Sequence, residues 1–407
     1  MSRSRYALLA ALLGLLPMLL PLSVDASVPL VPEIASHFIT ETASVQLSLS
    51  AMVLGIAVGQ LIYGPLSDRF GRKPIILLGI ASYAATALAC ANAPTIEALI
   101  GLRFLQGFFA CSGVIVARAV IRDLFDREAG ARLFALMMGI HGIMPTIAPG
   151  LSGWLSVAYG WQSVFWTMAG FAVFSGLAIL LGLAETNTST ERQSLHPRTI
   201  AANYRQVFGV RSFLCYGVCG SFMYGALMAY FAGAPVGLIQ YLGLSPLQFG
   251  IAMAVPMVSY IIAQVVVARV AHQVGIDGMI RNGAILAAIS GILMLAFVLL
   301  GKVTVYTLMG PVVLLLVSLA FIVPGTTAGA MSPFAQIAGA ASSLLGFVQF
   351  LAAAAATTVI GLMNDGTPLP MAIVMCTCTF LTLILYLVLV RPLRHSPGHR
   401  SSASSSN

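Results

Sequence analysis

Charge is what this chain most lacks: Asp, Glu, Lys and Arg together make up 8% of its 407 residues, against about a quarter in an average soluble domain. A soluble globular protein is excluded. Carboxylates are scarcest, with 12 Asp and Glu facing 20 Lys and Arg. The resulting net charge of +8 does not point to nucleic acid, because the basic residues lie in short blocks between long apolar runs with no interleaved aromatic face. Cysteine is limited to Cys90, Cys111, Cys215, Cys219, Cys376 and Cys378, each inside an apolar run and without disulfide or metal-ligand spacing. No glycine-rich phosphate loop stands outside the apolar runs, and no His, Cys or carboxylate cluster has ligand spacing. Neither a cofactor nor a metal is therefore expected, and an enzyme is not.

What the chain does have is apolar length, with 59% hydrophobic residues and a mean hydropathy of +0.97. A helix needs roughly 20 apolar residues to cross a bilayer, so the chain accommodates about a dozen. Runs bounded by charge or turn clusters place helices at 7–32, 44–63, 75–92, 96–120, 131–155 and 163–184, then at 212–235, 247–271, 282–300, 304–329, 338–360 and 370–391. The fold class is an all-α integral membrane protein of twelve transmembrane helices in two pseudo-symmetric six-helix bundles. Its expected divisions are an N-terminal bundle over 1–184, a polar linker over 185–211, a C-terminal bundle over 212–391 and a disordered tail over 392–407. The charged start at Arg3 and Arg5 resembles a signal peptide, but the apolar run continues past Pro17 and Pro21 toward Pro32 and reads as an uncleaved first helix.

Lys and Arg are retained on the cytoplasmic side during insertion. Arg69, Arg72 and Lys73, then Arg122, Arg127 and Arg132, then Arg192, Arg198, Arg205 and Arg211 share one side with both termini, and Lys302 alone lies opposite. Both termini are expected in the cytoplasm. The halves also carry traces of duplication, since Gly64-Pro-Leu-Ser-Asp68-Arg69-Phe-Gly71 aligns at an offset of 204 with Ala268-Arg-Val-Ala-His272-Gln273-Val-Gly275. Position and final glycine are kept; the charged core is not.

The segment from Gly64 through Asp68, Arg69, Gly71 and Arg72 to Lys73-Pro74 resembles the second-to-third helix loop of the major facilitator superfamily. Gly64 and Gly71 would permit close backbone approach and a positive φ. The resemblance implies that the charged set, with Arg122 and Asp123, latches the halves, Asp68 facing the start of the eleventh helix near Ala338, where a helix dipole favours a carboxylate. Arg103-Phe-Leu-Gln106-Gly107 is similar to the fourth-helix motif of proton-coupled members. Arg118-Ala-Val-Ile-Arg122-Asp123 resembles the end of that helix in the bicyclomycin and chloramphenicol resistance branch. In the fifth helix Gly139, Gly142, Pro145, Pro149, Gly150 and Gly153 match the glycine- and proline-rich pattern of antiporters, small residues that let neighbouring helices touch. The resemblance implies a major facilitator fold in a bacterial inner membrane, exporting lipophilic drugs in exchange for protons. A monomer is expected. The alternative on the same fold is a proton-coupled transporter of one metabolite, such as a sugar or amino-acid derivative.

An ionisable residue inside a membrane span costs at least about 2.5 kcal/mol and marks function by default. Asp25 is the only carboxylate well inside an apolar run. It lies eight residues before Glu33, and Arg103 lies six residues after Glu97. At about 1.5 Å per residue both sit roughly 10 Å below the outer edge and can meet if their helices are neighbours. Asp25 is expected to carry the proton and Arg103 to set its affinity, because burial favours the neutral carboxyl and a guanidinium favours the carboxylate. His141, near the middle of the fifth helix, is the other titratable candidate. For a substrate cavity the candidates are polarizable or aromatic side chains suited to flat, lipophilic ligands, Tyr216, Tyr224, Met138 and Met253, with Gln349 among the few polar ones.

Overall fold

The computed structural model describes residues 3–125, 133, 137, 143–187, 197–334 and 337–393, and within them not the side chains of 3–7, 197, 199, 246, 268, 271, 272 and 393. His141, Gly142, Gly139, Met138, Arg127 and Arg132 lie outside the described residues. The described residues are helical throughout the apolar runs. Eleven helices among them are long and apolar enough to cross a membrane, and the helix Ile143–Tyr159 stands where the fifth of twelve falls.

The first half contains α1 (Arg3–Asp25), α2 (Val31–His37), α3 (Thr42–Phe70), α4 (Arg72–Ala91), α5 (Ile96–Leu124), α6 (Ile143–Tyr159) and α7 (Gln162–Gly182). Together α1 and α2 form the first span, which is interrupted. Pro29 has no N–H to return to the carbonyl of Asp25, so the α-helix stops there; a 3-10 turn over Val28–Leu30 bridges to α2, where Pro32 sits in the first turn and costs nothing. α5 begins on an N-cap from Thr95, whose side chain accepts from the N–H of Ala98.

The second half contains α9 (Arg211–Ala234), α10 (Pro246–Leu299), α11 (Val305–Met331), α12 (Ala338–Met363) and α13 (Leu369–Leu385). α10 is two spans, Leu247–Val267 and Gln273–Leu299, broken at Gly275, whose φ is 70°. The aligned glycine of the first half, Gly71, has φ 98° and divides α3 from α4. The duplicated glycine is thus kept because each half needs the same left-handed corner.

Residues 185–211 are more than the polar connection the composition suggests, because Pro197–Phe208 folds as an amphipathic helix, α8. Its Val207 packs with Phe213, Phe334, Ala341 and Leu344 of the second half. Tyr204 reaches the first half, donating from its hydroxyl to the carbonyl of Leu61 at 2.9 Å. That carbonyl needs an outside donor because Pro65, four residues on, has no N–H for it. Burial pushes the Tyr204 phenol up to about 12, so it stays a donor at all physiological pH.

The halves meet at the end away from the basic loops. Gln46 Nε2 donates to the carbonyl of Ala232 at 3.0 Å and Gln240 Nε2 to Thr42 Oγ1 at 2.8 Å. α6 and the start of α10 touch backbone to backbone: a methyl group on Gly250 would lie 2.4 Å from Gly150 Cα. At the basic end a cavity of about 710 Å³ lies between the halves.

Candidate functional site

The first polar centre grows out of the break in the first span. Arg103 of α5 is 1% exposed and its guanidinium holds the loose end of α1. Nη2 donates to the Ser23 carbonyl at 2.9 Å and to Ser27 Oγ at 2.6 Å, and Nη1 donates to Gln106 Oε1 at 2.6 Å. A cation at a helix C-terminus also opposes the macrodipole's negative end. The guanidinium carbon lies 5.6 Å from the Phe165 ring centroid, and Tyr83, fully buried, shares a hydrogen bond with Ser23 Oγ. Helices α1, α4, α5 and α7 are thereby joined at one point.

Asp25 lies at the same level, as the depth arithmetic expects, yet the direct pair with Arg103 does not form. Among the described residues no ion pair within 4.0 Å joins them. The reason is angular: Ser23 lies two residues before Asp25, about 200° around a helix of 3.6 residues per turn, so when Ser23 faces Arg103 the carboxylate faces away. Asp25 is 3% exposed and its electrostatic neighbour is Tyr230 of α9, in the opposite half. The carboxyl therefore stands on the seam between the halves, while Arg103 holds the backbone carbonyl of Ser23 two residues before it.

The second centre is the charged loop. Arg72 is buried and donates from Nε to Asp123 Oδ2 at 2.9 Å and from Nη1 to Ser67 Oγ at 2.8 Å, with a further ion pair to Asp68. Arg122 stands 4.0 Å from both Asp68 and Asp123. The Asp68 carboxylate is engaged by arginines of its own half, while the start of α12 that the resemblance assigns to it lines the same cavity. Lys73 Nζ donates to the Leu180 carbonyl at 2.8 Å, and Arg69 lies over the Phe70 ring instead of in the network. Gly64 lets α12 approach, since an added methyl would meet Ser343 Oγ at 3.1 Å.

Sequence reasoning misses Glu185, which binds the N-terminus of α4. Its two carboxylate oxygens accept from the backbone N–H groups of Arg72 at 2.9 Å and Lys73 at 3.0 Å, and Gly71, whose φ of 98° calls for glycine, lies close against it. Partial burial pushes the Glu185 carboxyl up, but the N–H groups of Asn187, Arg72, Lys73 and Thr186 outweigh it and hold the group below its ordinary range. A depressed carboxyl stabilises the fold fully above its unfolded value near about 4.3 and loses that contribution as pH falls through the folded value. Glu185→Gln should cost about 0.5 kcal/mol at neutral pH, the low end for a helix cap given its solvent exposure. Thermal unfolding against pH checks this: the gap between variant and parent should close in acid, and a gap of constant size would contradict it.

The candidate cavity residues are placed elsewhere. Tyr216 packs against Gly329 and the Tyr224 ring lies 5.9 Å from that of Phe350, contacts inside the second half. Met253 Sδ accepts from the Tyr230 hydroxyl, and Gln349 is buried in α12. None of these four is among the residues that line the cavity at the basic end, whose lining includes Gln60, Arg118, Arg122, Asn203, Tyr204 and Ser343, although Tyr224 lies near Arg118 of the first half. Pro145, Pro149, Gly150 and Gly153 lie on α6, where Gly150 makes the backbone contact described above. Among the described residues no cluster of His, Cys, Asp or Glu could hold a metal ion.

Two helical halves joined by a packed linker helix, meeting at one end and enclosing a cavity at the other, define a polytopic membrane protein of the two-bundle type. The chain belongs to the Major Facilitator Superfamily, whose family model matches residues 13–357. It is 31% identical over 90% of its length, and 91% of the other's, to an uncharacterized MFS-type transporter, YdgK, of Bacillus subtilis. It is 29% identical to a bicyclomycin resistance protein homolog of Haemophilus influenzae, covering 92% of this chain and 94% of that one. In fold it is similar to a bacterial homolog of the human lysosomal transporter Spinster, solved in an inward-facing and unoccupied conformation, with a TM-score of 0.70, 13% identity and 96% of each chain covered.

Proposed function

We propose that the protein exports lipophilic, antibiotic-like molecules in exchange for protons, by alternating access of its two halves, and that Asp25 is the proton site. One observation carries the coupling: a buried carboxyl stands at the seam between the halves, on the residue where the first span breaks. Rocking of the halves would change what faces that carboxyl, and with it whether the proton stays. His141 is a second candidate for the proton path. The resistance named for the Haemophilus influenzae relative supports the substrate class. The distribution of Lys and Arg supports a bacterial inner membrane orientation with both termini in the cytoplasm, and a single chain holding both halves supports a monomer. The gradient supplies the energy: one charge crossing the potential is worth about 2.3 kcal/mol per 100 mV, near fiftyfold in concentration.

Expression in a bacterial host stripped of its own pumps tests this. Resistance to chloramphenicol and bicyclomycin should rise and should vanish when a proton uncoupler is added. Resistance that survives the uncoupler would rule out proton antiport.

A further inference from the structure

The linker helix α8 has two unlike faces. At 3.6 residues per turn Ile200, Asn203, Tyr204 and Val207 fall on one side of it. Val207 is buried against the second half, Tyr204 bonds to Leu61 of the first, and Ile200, Asn203 and Tyr204 line the cavity. The opposite side carries Arg198, Ala201, Ala202 and Arg205, all exposed, with Phe208, 42% exposed, at its edge. Arg198 and Arg205 stand two turns apart on that side, roughly 10 Å along the axis. The face an amphipathic helix would otherwise lay on a bilayer is thus taken up by protein, and the face left over is cationic.

That charge is not compensated within the described structure. Neither Arg198 nor Arg205 belongs to an ion pair among the described residues, and the sequence has no Asp or Glu from residue 192 to residue 276. The described carboxylates at the basic end are occupied or placed elsewhere. Asp68 and Asp123 are each engaged by Arg72 and Arg122, Glu185 accepts from the backbone of Arg72 and Lys73, and Asp277 is buried on α10.

Depth decides what lies opposite the arginines. α3 has 29 residues and is about 43 Å long, whereas the hydrocarbon is about 30 Å thick, so counting from Thr42 the hydrocarbon ends close to Leu61. Leu61 is the residue to which Tyr204 bonds. α8 therefore lies beside the span at the hydrocarbon boundary, with its inner face on the cavity and its outer face turned toward the headgroup layer. An arginine at that level is worth about fivefold in affinity for an anionic leaflet, and an exposed phenylalanine suits the same level.

We propose that the outer face of α8 docks on anionic phospholipid headgroups of the leaflet at the basic end, with Arg198 and Arg205 as the contacts and Phe208 beside them. The leaflet then steadies the wall that α8 gives the cavity. This contact is independent of what the protein transports.

Amide hydrogen exchange of α8, in the purified full-length chain in lipid nanodiscs, measures the contact. Discs of phosphatidylcholine mixed with phosphatidylglycerol should slow exchange across Pro197–Phe208 by about thirtyfold relative to phosphatidylcholine alone, two arginines at about fivefold each, because opening the helix must first break the contact. Arg198→Gln combined with Arg205→Gln should abolish the difference and leave the rate in phosphatidylcholine unchanged. Arg198→Lys combined with Arg205→Lys keeps the charge and should keep most of the slowing. Inorganic phosphate added to the phosphatidylcholine discs should slow nothing, since a free anion does not hold the helix to a leaflet. Equal exchange in the two kinds of disc overturns the proposal, as does slowing that survives in the glutamine pair or is matched by inorganic phosphate. Slowing of the same size in every span would mean that phosphatidylglycerol stabilises the whole chain, and overturns it as well.

Discussion

Asp25→Asn should yield a folded protein that binds its ligand and moves no proton. Asn is nearly isosteric with Asp and keeps a polar group at the end of α1, so the thermal midpoint should stay close to that of the parent. Coupling should not survive. Asp25 is the buried carboxyl on the seam, with Tyr230 of the opposite half as its electrostatic neighbour, and an amide cannot take up or release a proton in the physiological range. The accumulation that the potential drives, worth about fiftyfold per 100 mV, should collapse toward equilibrium. Ligand-induced proton release from the purified protein, followed with a pH dye in weakly buffered detergent, checks it directly. Release equal to the parent's would remove Asp25 from the mechanism.

Arg103→Ala should do the reverse, costing stability first. Removing the guanidinium strips donors from the Ser23 carbonyl and Gln106 Oε1, leaves a cavity beside Phe165, and unties the end of α1 from α5. Leaving a buried neutral acceptor without its donor costs about 1 to 3 kcal/mol, a few degrees in thermal midpoint for a chain of this size. Lysine should recover less than half of the loss, because a single ammonium cannot reach Ser23, Ser27 and Gln106 in the fork geometry. Thermal unfolding in detergent measures both variants. A lysine variant as stable as the parent would mean that charge alone, and not the shape of the hydrogen bonds, holds the break together.

The architecture is legible in the sequence because a bilayer leaves so few options. Apolar runs of the required length must be helices there, since each backbone group needs an internal partner. The shared depth of Asp25 and Arg103 also follows from counting residues. Which way each faces does not, because the angle depends on where α1 stops, and that is set by Pro29 acting on the carbonyl of Asp25. Glu185 is hidden for a related reason: a carboxylate at the end of a span reads as an edge charge, and its function becomes visible only when Gly71 brings the start of α4 against it. The α8 helix shows the limit of composition, since a polar stretch is expected to be mere connection, yet Tyr204 and Val207 anchor it to both halves. Tyr216, Tyr224 and Met253, expected at the cavity, are absent from its lining at the basic end for the same reason. Side-chain type says what a residue can bind and not which side of its helix looks into the space.

In the proposed antiport a proton gradient and ligand movement are one reaction. Proteoliposomes containing the purified chain, loaded to be acidic inside and given chloramphenicol outside, measure it most directly. Chloramphenicol should accumulate while the gradient lasts, drain when an ionophore dissipates it, and fail to accumulate with Asp25→Asn. Accumulation that continues unchanged after the gradient is gone would rule out proton antiport.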